Sequence, residues 1–238
     1  MQHGQVLPTR LGGVSRETHE PNAPNLATAP MILIGQFDSP FVRRVGIALT
    51  LYGLPFEHRP WSVFGDADKI RAYNPLVRVP TLVLDDGEVL IESHSILDYL
   101  DHMVPADRAM FPAAEPARHR ALKVAALATG LADKAVSLSY ERRLHREVSE
   151  VWVDRCRGQI SAVLAALEAD RTSRVGDYWF GDRIGHADIA VAVALRFVAE
   201  AHPGLVSMAD LPALGSAAAR LEALPVFRTI AQPFIPPT

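Results

Sequence analysis

The residue best placed for chemistry in this chain is Ser39, which follows the apolar run 31–34 and directly precedes Pro40. Serine is favoured at the N-cap of an α-helix, and proline is favoured next because the first turn leaves its N–H positions unpaired. The N-terminus of a helix carries free amide hydrogens and a partial positive charge, so it stabilises a nearby thiolate or carboxylate. Ser39 is therefore either a simple helix cap or a residue that also holds an anion.

The segments around Ser39 predict a small α/β unit. In chain order they read as a strand 31–36, a helix 40–53, a strand 56–60, a helix 66–73, strands 81–84 and 89–91, and a helix 93–103. Gly53 ends the first helix, and Asp86-Gly87 between two apolar runs is a strong hairpin signal. Ser93 is predicted to cap the last helix.

Beyond residue 116 the pattern is helical only. Prolines punctuate residues 104–116, which predicts a linker. Ala, Leu and Val at helical spacing predict helices 117–143, 147–170 and 187–202, with shorter pieces between 210 and 230. Because the run 189–195 is apolar on every face, its helix is predicted to pass through the centre of a helical bundle.

Composition restricts the class of protein. The 238-residue chain has a formal net charge of −3 and a pI near 6.3, so neither nucleic acid nor a membrane surface is expected as a partner. Cys156 is the only cysteine, which excludes an intrachain disulfide and a cysteine-based metal cluster and is consistent with a reducing cytoplasm. No metal or redox cofactor is predicted. The thiol of Cys156, in a helical segment, is expected to be packed rather than reactive.

Residues 1–30 are rich in Pro, Gly, Asn and Thr, show no periodicity and lack the apolar region of a secretory signal. They predict a flexible leader. Since Met31 opens the first strand, translation starting at Met31 is a hypothesis that the intact mass of the native protein would test.

Four motifs together resemble the cytosolic glutathione transferases, particularly bacterial members with Ser-Pro after the first strand. They are DSPFVRRV at 38–45, NP at 74–75 followed by VPTL at 79–82, ES at 92–93, and FGDR at 180–183 leading to AD at 187–188. The resemblance implies a thioredoxin-like domain over 31–103 that binds glutathione and an all-α domain over 117–238 that forms the second-substrate site. It also implies a cytoplasmic homodimer with glutathione as cosubstrate.

For Ser39 the resemblance implies thiol activation. A thiol with a pKa near 8.5 is mostly protonated at neutral pH, and a hydrogen bond to its anion makes the nucleophile more abundant. A hydroxyl has one donor and two acceptor sites, so Ser39 can cap the helix and donate to a glutathione thiolate at once. Tyr52, the other candidate hydroxyl, falls on the packing stripe of its helix.

The resemblance also implies a set of glutathione-binding residues. Alone, the sequence favours a trans bond before Pro80, since about one X-Pro bond in twenty is cis; in the family this bond is cis and turns the backbone of the preceding residue, here Val79, toward the cysteinyl part. Arg78 stands where the family often has lysine and is a candidate for the glycyl carboxylate. Glu92 and Ser93 are either a strand end and a helix cap or, by the resemblance, the partners of the γ-glutamyl ammonium and carboxylate.

Other polar residues receive structural interpretations. The charged run 140–147 is typical of a solvated helix end, although the resemblance makes Tyr140, together with Phe41, a candidate wall of the second-substrate site. Gly185 and Asp188 are predicted to start the central helix. His186 is predicted to lie at the surface or a boundary.

The predicted function is transfer of a glutathionyl group to a small electrophile. A glutathione-dependent isomerase or dehalogenase would use the same serine-type site, and a noncatalytic interaction module would share the fold. Because residues 36–42 contain no cysteine, a mixed disulfide between this loop and glutathione is excluded.

Overall fold

The first half of the chain folds around one mixed β-sheet. A computed structural model describes Met1 and residues 30–237, so the leader predicted over 1–30 lies, apart from its two end residues, outside the described residues. The four strands are β1 (Met31–Ile34), β2 (Phe56–Arg59), β3 (Thr81–Val83) and β4 (Val89–Ile91), in the order β2-β1-β3-β4. β1 is parallel to β2, and the other two pairs are antiparallel. The hairpin predicted at Asp86-Gly87 is confirmed, because Gly87 adopts φ 89° between β3 and β4.

Helices cover both faces of this sheet. They are α1 (Pro40–Tyr52), α2 (Ala67–Arg71) and α3 (Ser93–His102). α1 and α3 bury one face in a core that includes Leu33, Leu49 and Leu97. On the other face, Ile70 of α2 packs against Ile34 and Val83. The predicted α/β, thioredoxin-like unit is confirmed, and it places the N-terminus of α1 directly after β1.

The second half is helical, as predicted. Its helices are α4 (Ala117–Leu144), α5 (Glu150–Thr172), α6 (His186–Ala201), α7 (Pro212–Glu222) and α8 (Pro225–Thr229), with one short 3-10 helix at Met208–Asp210. Within the described part of the chain, residues 103–116 hold neither helix nor strand. Every residue from 186 to 195 is buried, which confirms that α6 is central; it contacts α4, α7 and α1. None of the described helices is long and apolar enough to cross a membrane.

The start of α6 is built without a hydroxyl cap. Gly185 is the N-cap, and the Asp188 carboxylate accepts hydrogen bonds from the amides of Gly185 at 3.0 Å and Trp179 at 2.9 Å. Asp188 thereby satisfies two amides, one at the N-cap of α6 and one in the loop before it. The structural interpretation of Gly185 and Asp188 is confirmed.

Two local predictions are wrong. Ser93 is the first residue of α3 rather than its cap, because the N-cap is Glu92 and the Ser93 hydroxyl accepts from the Arg44 guanidinium instead. His186 is completely buried, not at a boundary, and its Nε2 lies 2.8 Å from Asp101 Oδ1. In both cases the partner is more than 45 positions away in the chain, so a local pattern carries no sign of it.

Candidate active site

Ser39 caps α1 with a loosely engaged hydroxyl. Its backbone is extended, with φ −68° and ψ 121°, and its Oγ accepts from the amide of Val42 at 3.5 Å. This distance is at the long limit of a hydrogen bond, so the amide is only weakly satisfied. Among the described residues no acceptor receives the Ser39 hydroxyl proton. The side chain is half-buried, and its donor is available to an anion at the helix N-terminus.

The loop that carries Ser39 packs closely against the segment that leads into β3. Gly35, at φ +128°, lies so near its neighbours that an added Cβ would be 2.5 Å from Val42 Cγ2 and 2.7 Å from Val79 Cβ. Both the backbone conformation and the space exclude a larger residue. Gly35 therefore brings the loop before Ser39 and the backbone of Val79 to one end of the sheet.

The segment before β3 presents free backbone groups at this end of the sheet. The Val79–Pro80 bond is cis, as the resemblance implied. The side chains of Asn74 and Thr81 both donate to the carbonyl of Arg78 at 3.0 Å, which holds the segment in place. Among the described residues, the N–H and C=O of Val79 take part in no hydrogen bond. A bound peptide could pair with them as an added strand does.

Three predicted binding residues meet at the start of α3. Glu92 has φ +66°, a conformation that L-residues rarely adopt. Its Oε1 forms an ion pair with Arg78 Nη1 at 3.1 Å. Both side chains are about half exposed, so a ligand can compete for either one. Ser93 is buried beside them. The predicted residues Arg78, Glu92 and Ser93 are thus adjacent in space.

Behind Ser93 lies a buried charge that sequence reasoning missed. Arg44 is 1% exposed, and its Nη1 donates to Ser93 Oγ at 3.4 Å. Its Nε and Nη2 have no hydrogen-bond partner among the described residues. Burial lowers the pKa of Arg44 to about 9, so the guanidinium stays charged at neutral pH. The neighbouring Arg43 is neutralised by both carboxylate oxygens of Glu222, and the sequence RR at 43–44 does not tell the two apart.

The helical domain contributes a second wall. Phe41 of α1 packs against the core of the helical domain. The ring of Tyr140 on α4 contacts the ring of Phe64 edge to face, with 5.4 Å between the centroids. Burial raises the pKa of Tyr140, and the negative charge of Asp38 raises it further, so its hydroxyl stays protonated. Tyr140 and Phe41 therefore both lie where the two domains meet, next to the loop that carries Ser39.

The end of the chain completes this wall. The amide of Ile235 donates to Asp38 Oδ2 at 3.0 Å, and the amide of Phe234 donates to Glu200 at 2.9 Å. Burial raises the pKa of Asp38, but the amide of Ile235 favours its charged form. Sequence reasoning gave Asp38 no role, because its partner lies 197 positions along the chain. We call residues 233–235 with Asp38 the tail contact.

The remaining predicted candidates serve the fold. Tyr52 is buried and its hydroxyl donates to Asp101, which also accepts from the amide of Phe111 at 3.0 Å. Cys156 is buried in the helical core. No cluster of three or more metal-ligating side chains occurs among the described residues.

The fold and the site define a class of two-domain protein, in which a thioredoxin-like domain presents Ser39, Val79 and Ser93 beside an all-helical domain. Residues 33–108 match the family described as glutathione S-transferase, N-terminal domain, and residues 150–216 match its C-terminal domain. The chain is 33% identical to the uncharacterized GST-like protein YibF of Escherichia coli, over 71% of this chain and 82% of that protein. The chain belongs to the glutathione S-transferase family.

Other relatives and solved structures agree with this assignment. The maleylacetoacetate isomerase of Pseudomonas aeruginosa is 31% identical over 71% of this chain and 85% of its own length. A glutathione S-transferase from Methylobacterium radiotolerans, in complex with glutathione sulfonate, has TM-score 0.80 and 30% identity, covering 88% of this chain and 100% of its own. A family member from Pseudomonas fluorescens Pf-5 with bound glutathione has TM-score 0.75 and 30% identity, covering 86% and 100%.

Proposed function

We propose that this protein is a glutathione-dependent transferase of the serine type, in which Ser39 stabilises the glutathione thiolate for attack on a small electrophile. The observation that carries the proposal is the free hydroxyl proton of Ser39 at the N-terminus of α1, beside the unpaired backbone groups of Val79. A thiolate placed there receives one hydroxyl hydrogen bond and the positive end of the helix. The solved relatives with bound glutathione and glutathione sulfonate support the ligand.

The three parts of glutathione each have a complementary partner. The cysteinyl backbone pairs with the N–H and C=O of Val79 beside Pro80. The γ-glutamyl carboxylate is received by Ser93, with the Arg44 charge behind it, and the γ-glutamyl ammonium by Glu92. Arg78 turns from Glu92 to the glycyl carboxylate. Arg44 does not touch the ligand in this arrangement; it positions and polarises Ser93.

The chemical step uses these residues, glutathione, the electrophile and solvent water. The thiol loses its proton to water, the hydroxyl of Ser39 donates to the sulfur anion, and the sulfur forms a bond to the electrophilic carbon. The leaving group departs with the bonding electron pair. The electrophile lies against Phe41 and Tyr140, so both reactants are held in one cleft and the reaction gains from proximity.

Glutathione-dependent isomerisation is the second candidate, favoured by the 31% identity to a maleylacetoacetate isomerase. Addition of the thiolate to a conjugated carbon–carbon double bond turns that bond into a single bond, which rotates. Elimination then restores the double bond and releases glutathione unchanged. The same Ser39 hydroxyl would stabilise the departing thiolate.

The test begins with binding, followed by a substrate panel. We expect calorimetric titration of the full chain with glutathione to show saturable binding of one molecule per chain. Chlorodinitrobenzene and maleylacetoacetate then distinguish conjugation from isomerisation. Absence of heat and of thermal stabilisation at millimolar glutathione would refute the enzyme and favour a noncatalytic module. A crystal soaked with glutathione whose sulfur points away from Ser39 would refute the mechanism.

We also propose that the protein is a cytoplasmic homodimer, as its family implies. The apolar side chains of Tyr99 and Met103, at the end of α3, are exposed at 37% and 45%. Because they stand four positions apart, the two side chains lie on one face of the helix end, which is a candidate contact surface. Light scattering on the purified chain checks this, and a monomer mass at micromolar concentration would contradict it.

A further inference from the structure

A basic cavity lies in the helical domain, and none of the residues proposed for the active site lines it. Its volume is about 470 Å³, within the range of about 300–1,000 Å³ that small-molecule sites occupy. The last turns of α4 contribute Ser139, Arg142 and Arg143, α5 contributes Arg157, and the segment after α6 contributes His202. We call it the arginine cavity.

The three arginines carry no counter-charge. Arg142, Arg143 and Arg157 make no ion pair among the described residues, and no acidic side chain is among the described residues that line the cavity. The negative end of the α4 dipole accounts for arginines in the last turns of α4. The dipole of α4 does not account for Arg157, which stands in the second turn of α5 and also lines the cavity. An anion bound between these three exposed guanidinium groups would be attracted by all of them.

The floor of the cavity offers neutral polar groups. His202 is 7% exposed, and its Nε2 donates to the carbonyl of Ala135 at 2.8 Å. Burial lowers the pKa of His202, and the positive charges of the three arginines lower it further, so the ring is neutral. Ser139 is 2% exposed, and its hydroxyl has no hydrogen-bond partner among the described residues. An unsatisfied buried hydroxyl calls for an explanation, and a ligand acceptor supplies one.

We propose that the arginine cavity binds the phosphate group of a small phosphorylated metabolite. A phosphate has three oxygens that guanidinium groups bind in a bidentate manner, and its double negative charge balances most of the charge of Arg142, Arg143 and Arg157. The cavity exceeds the size of phosphate alone, and Pro203 and Leu205 give it an apolar side that accommodates the organic part. The charged run that begins at Tyr140 is thus more than a solvated helix end.

The cavity borders the tail contact. The Arg143 guanidinium lies 5.8 Å from the ring centroid of Phe234, next to Ile235, whose amide is held by Asp38. The site is separate from the glutathione site, and its existence does not depend on the proposed function.

The experiment is calorimetric titration of the full chain at pH 8 in 0.15 M sodium chloride, a salt concentration that screens loose surface binding to a Debye length of about 8 Å. The probes are inorganic phosphate and glycerol 3-phosphate. We expect saturable binding of one molecule per chain with a dissociation constant below about 1 mM. Tighter binding of glycerol 3-phosphate than of inorganic phosphate supports a phosphate monoester site, and equal or weaker binding of glycerol 3-phosphate would overturn the assignment to a phosphorylated metabolite. Absence of saturable binding by both would overturn the proposal.

Variants locate the site. Arg142→Gln with Arg157→Gln removes two exposed guanidinium groups, and we expect affinity for either probe to fall about tenfold or more. Arg155→Gln, an exposed arginine of α5 that does not line the cavity, is the matched control and retains full affinity. Equal losses in both variants would contradict the site. So would loss of phosphate binding when the protein is saturated with glutathione, because the phosphate would then occupy the active site.

Discussion

At the scale of a residue, the Ser39 hydroxyl has two roles that substitution can separate. We expect Ser39→Ala to lower kcat by about 10- to 100-fold, the value of one charge-assisted hydrogen bond to the thiolate. KM for glutathione stays within about threefold, because the binding contacts lie at Val79, Glu92 and Ser93. The long 3.5 Å capping bond limits the loss of stability to about 1 kcal/mol. Steady-state kinetics with a panel electrophile and urea unfolding check both values.

The pH profile of the same variant separates a chemical role from a structural one. Loss of the hydrogen bond raises the pKa of bound glutathione, so half-maximal turnover moves to higher pH. Ser95→Ala, an exposed serine on α3, serves as control and keeps the wild-type profile. Equal kcat in Ser39→Ala and wild type would remove Ser39 from the mechanism.

At the scale of an element, the start of α6 depends on one carboxylate. Asp188 accepts from the amides of Gly185 and Trp179 while it is itself buried. We expect Asp188→Ala to leave both amides unsatisfied and to lower the free energy of unfolding by about 1–3 kcal/mol at pH 7. Asp182→Ala, an exposed acid of the same loop, changes it by less than about 0.5 kcal/mol. Urea unfolding of wild type, Asp188→Ala and Asp182→Ala measures these free energies. Equal unfolding midpoints for all three proteins would contradict the role of Asp188.

Elements whose causes are local could be predicted from the sequence. Helix α1 follows from the proline after Ser39 and from Gly53, which ends the helix in a left-handed conformation. The hairpin follows from Asp-Gly between two apolar runs. Each of these signals acts within a few residues. The all-apolar run 189–195 predicted a central helix for the same reason. The hydrogen bonds of Ser93 and His186 could not be predicted, since their partners, Arg44 and Asp101, are brought near only by the tertiary fold.

The candidate site shows the same division. Ser39, Val79, Glu92 and Ser93 are found by short motifs, and the structure places them at one end of the sheet. Arg44 and Asp38 stand within the same first motif but carry no signal of their function. The buried charge of Arg44 and the tail contact of Asp38 depend on what packs around them.

At the scale of the whole molecule, one buried network joins the two domains, and we expect it to affect stability in acid. His186 on α6 and Tyr52 on α1 both bind Asp101 on α3, and the positive charge of Arg44 acts on His186. Burial lowers the pKa of His186, and its Nδ1 has no partner among the described residues, so the ring is neutral with its proton on Nε2. Protonation therefore favours the unfolded chain.

The sign of the pH effect follows from this lowered pKa. The contribution of His186 is complete above its unfolded pKa of about 6.5 and is lost as the pH falls below that value. We expect the free energy of unfolding to drop between pH 7 and pH 5 by up to about 2 kcal/mol more in wild type than in His186→Gln. Asp101 does not act in this window, because its pKa is lowered from 3.8.

Comparing wild type with His186→Gln cancels the contributions of titrating groups that the two proteins share. Burial raises the pKa of Asp188 to about 6, so its protonation stabilises the fold over part of the same range, equally in both proteins. His119→Gln, an exposed histidine on α4, is the control and keeps the wild-type slope. Urea titrations at pH 5, 6 and 7 measure the slopes, and parallel slopes in wild type and His186→Gln would refute the neutral buried ring.

The position of the tail contact has a practical consequence for biochemistry on this protein. Ile235 binds the aspartate that immediately precedes Ser39. Substitutions or peptide insertions within residues 233–235 would therefore disturb the loop that carries the proposed catalytic hydroxyl. Activities and inhibitor affinities are best measured on protein in which these three residues are unaltered.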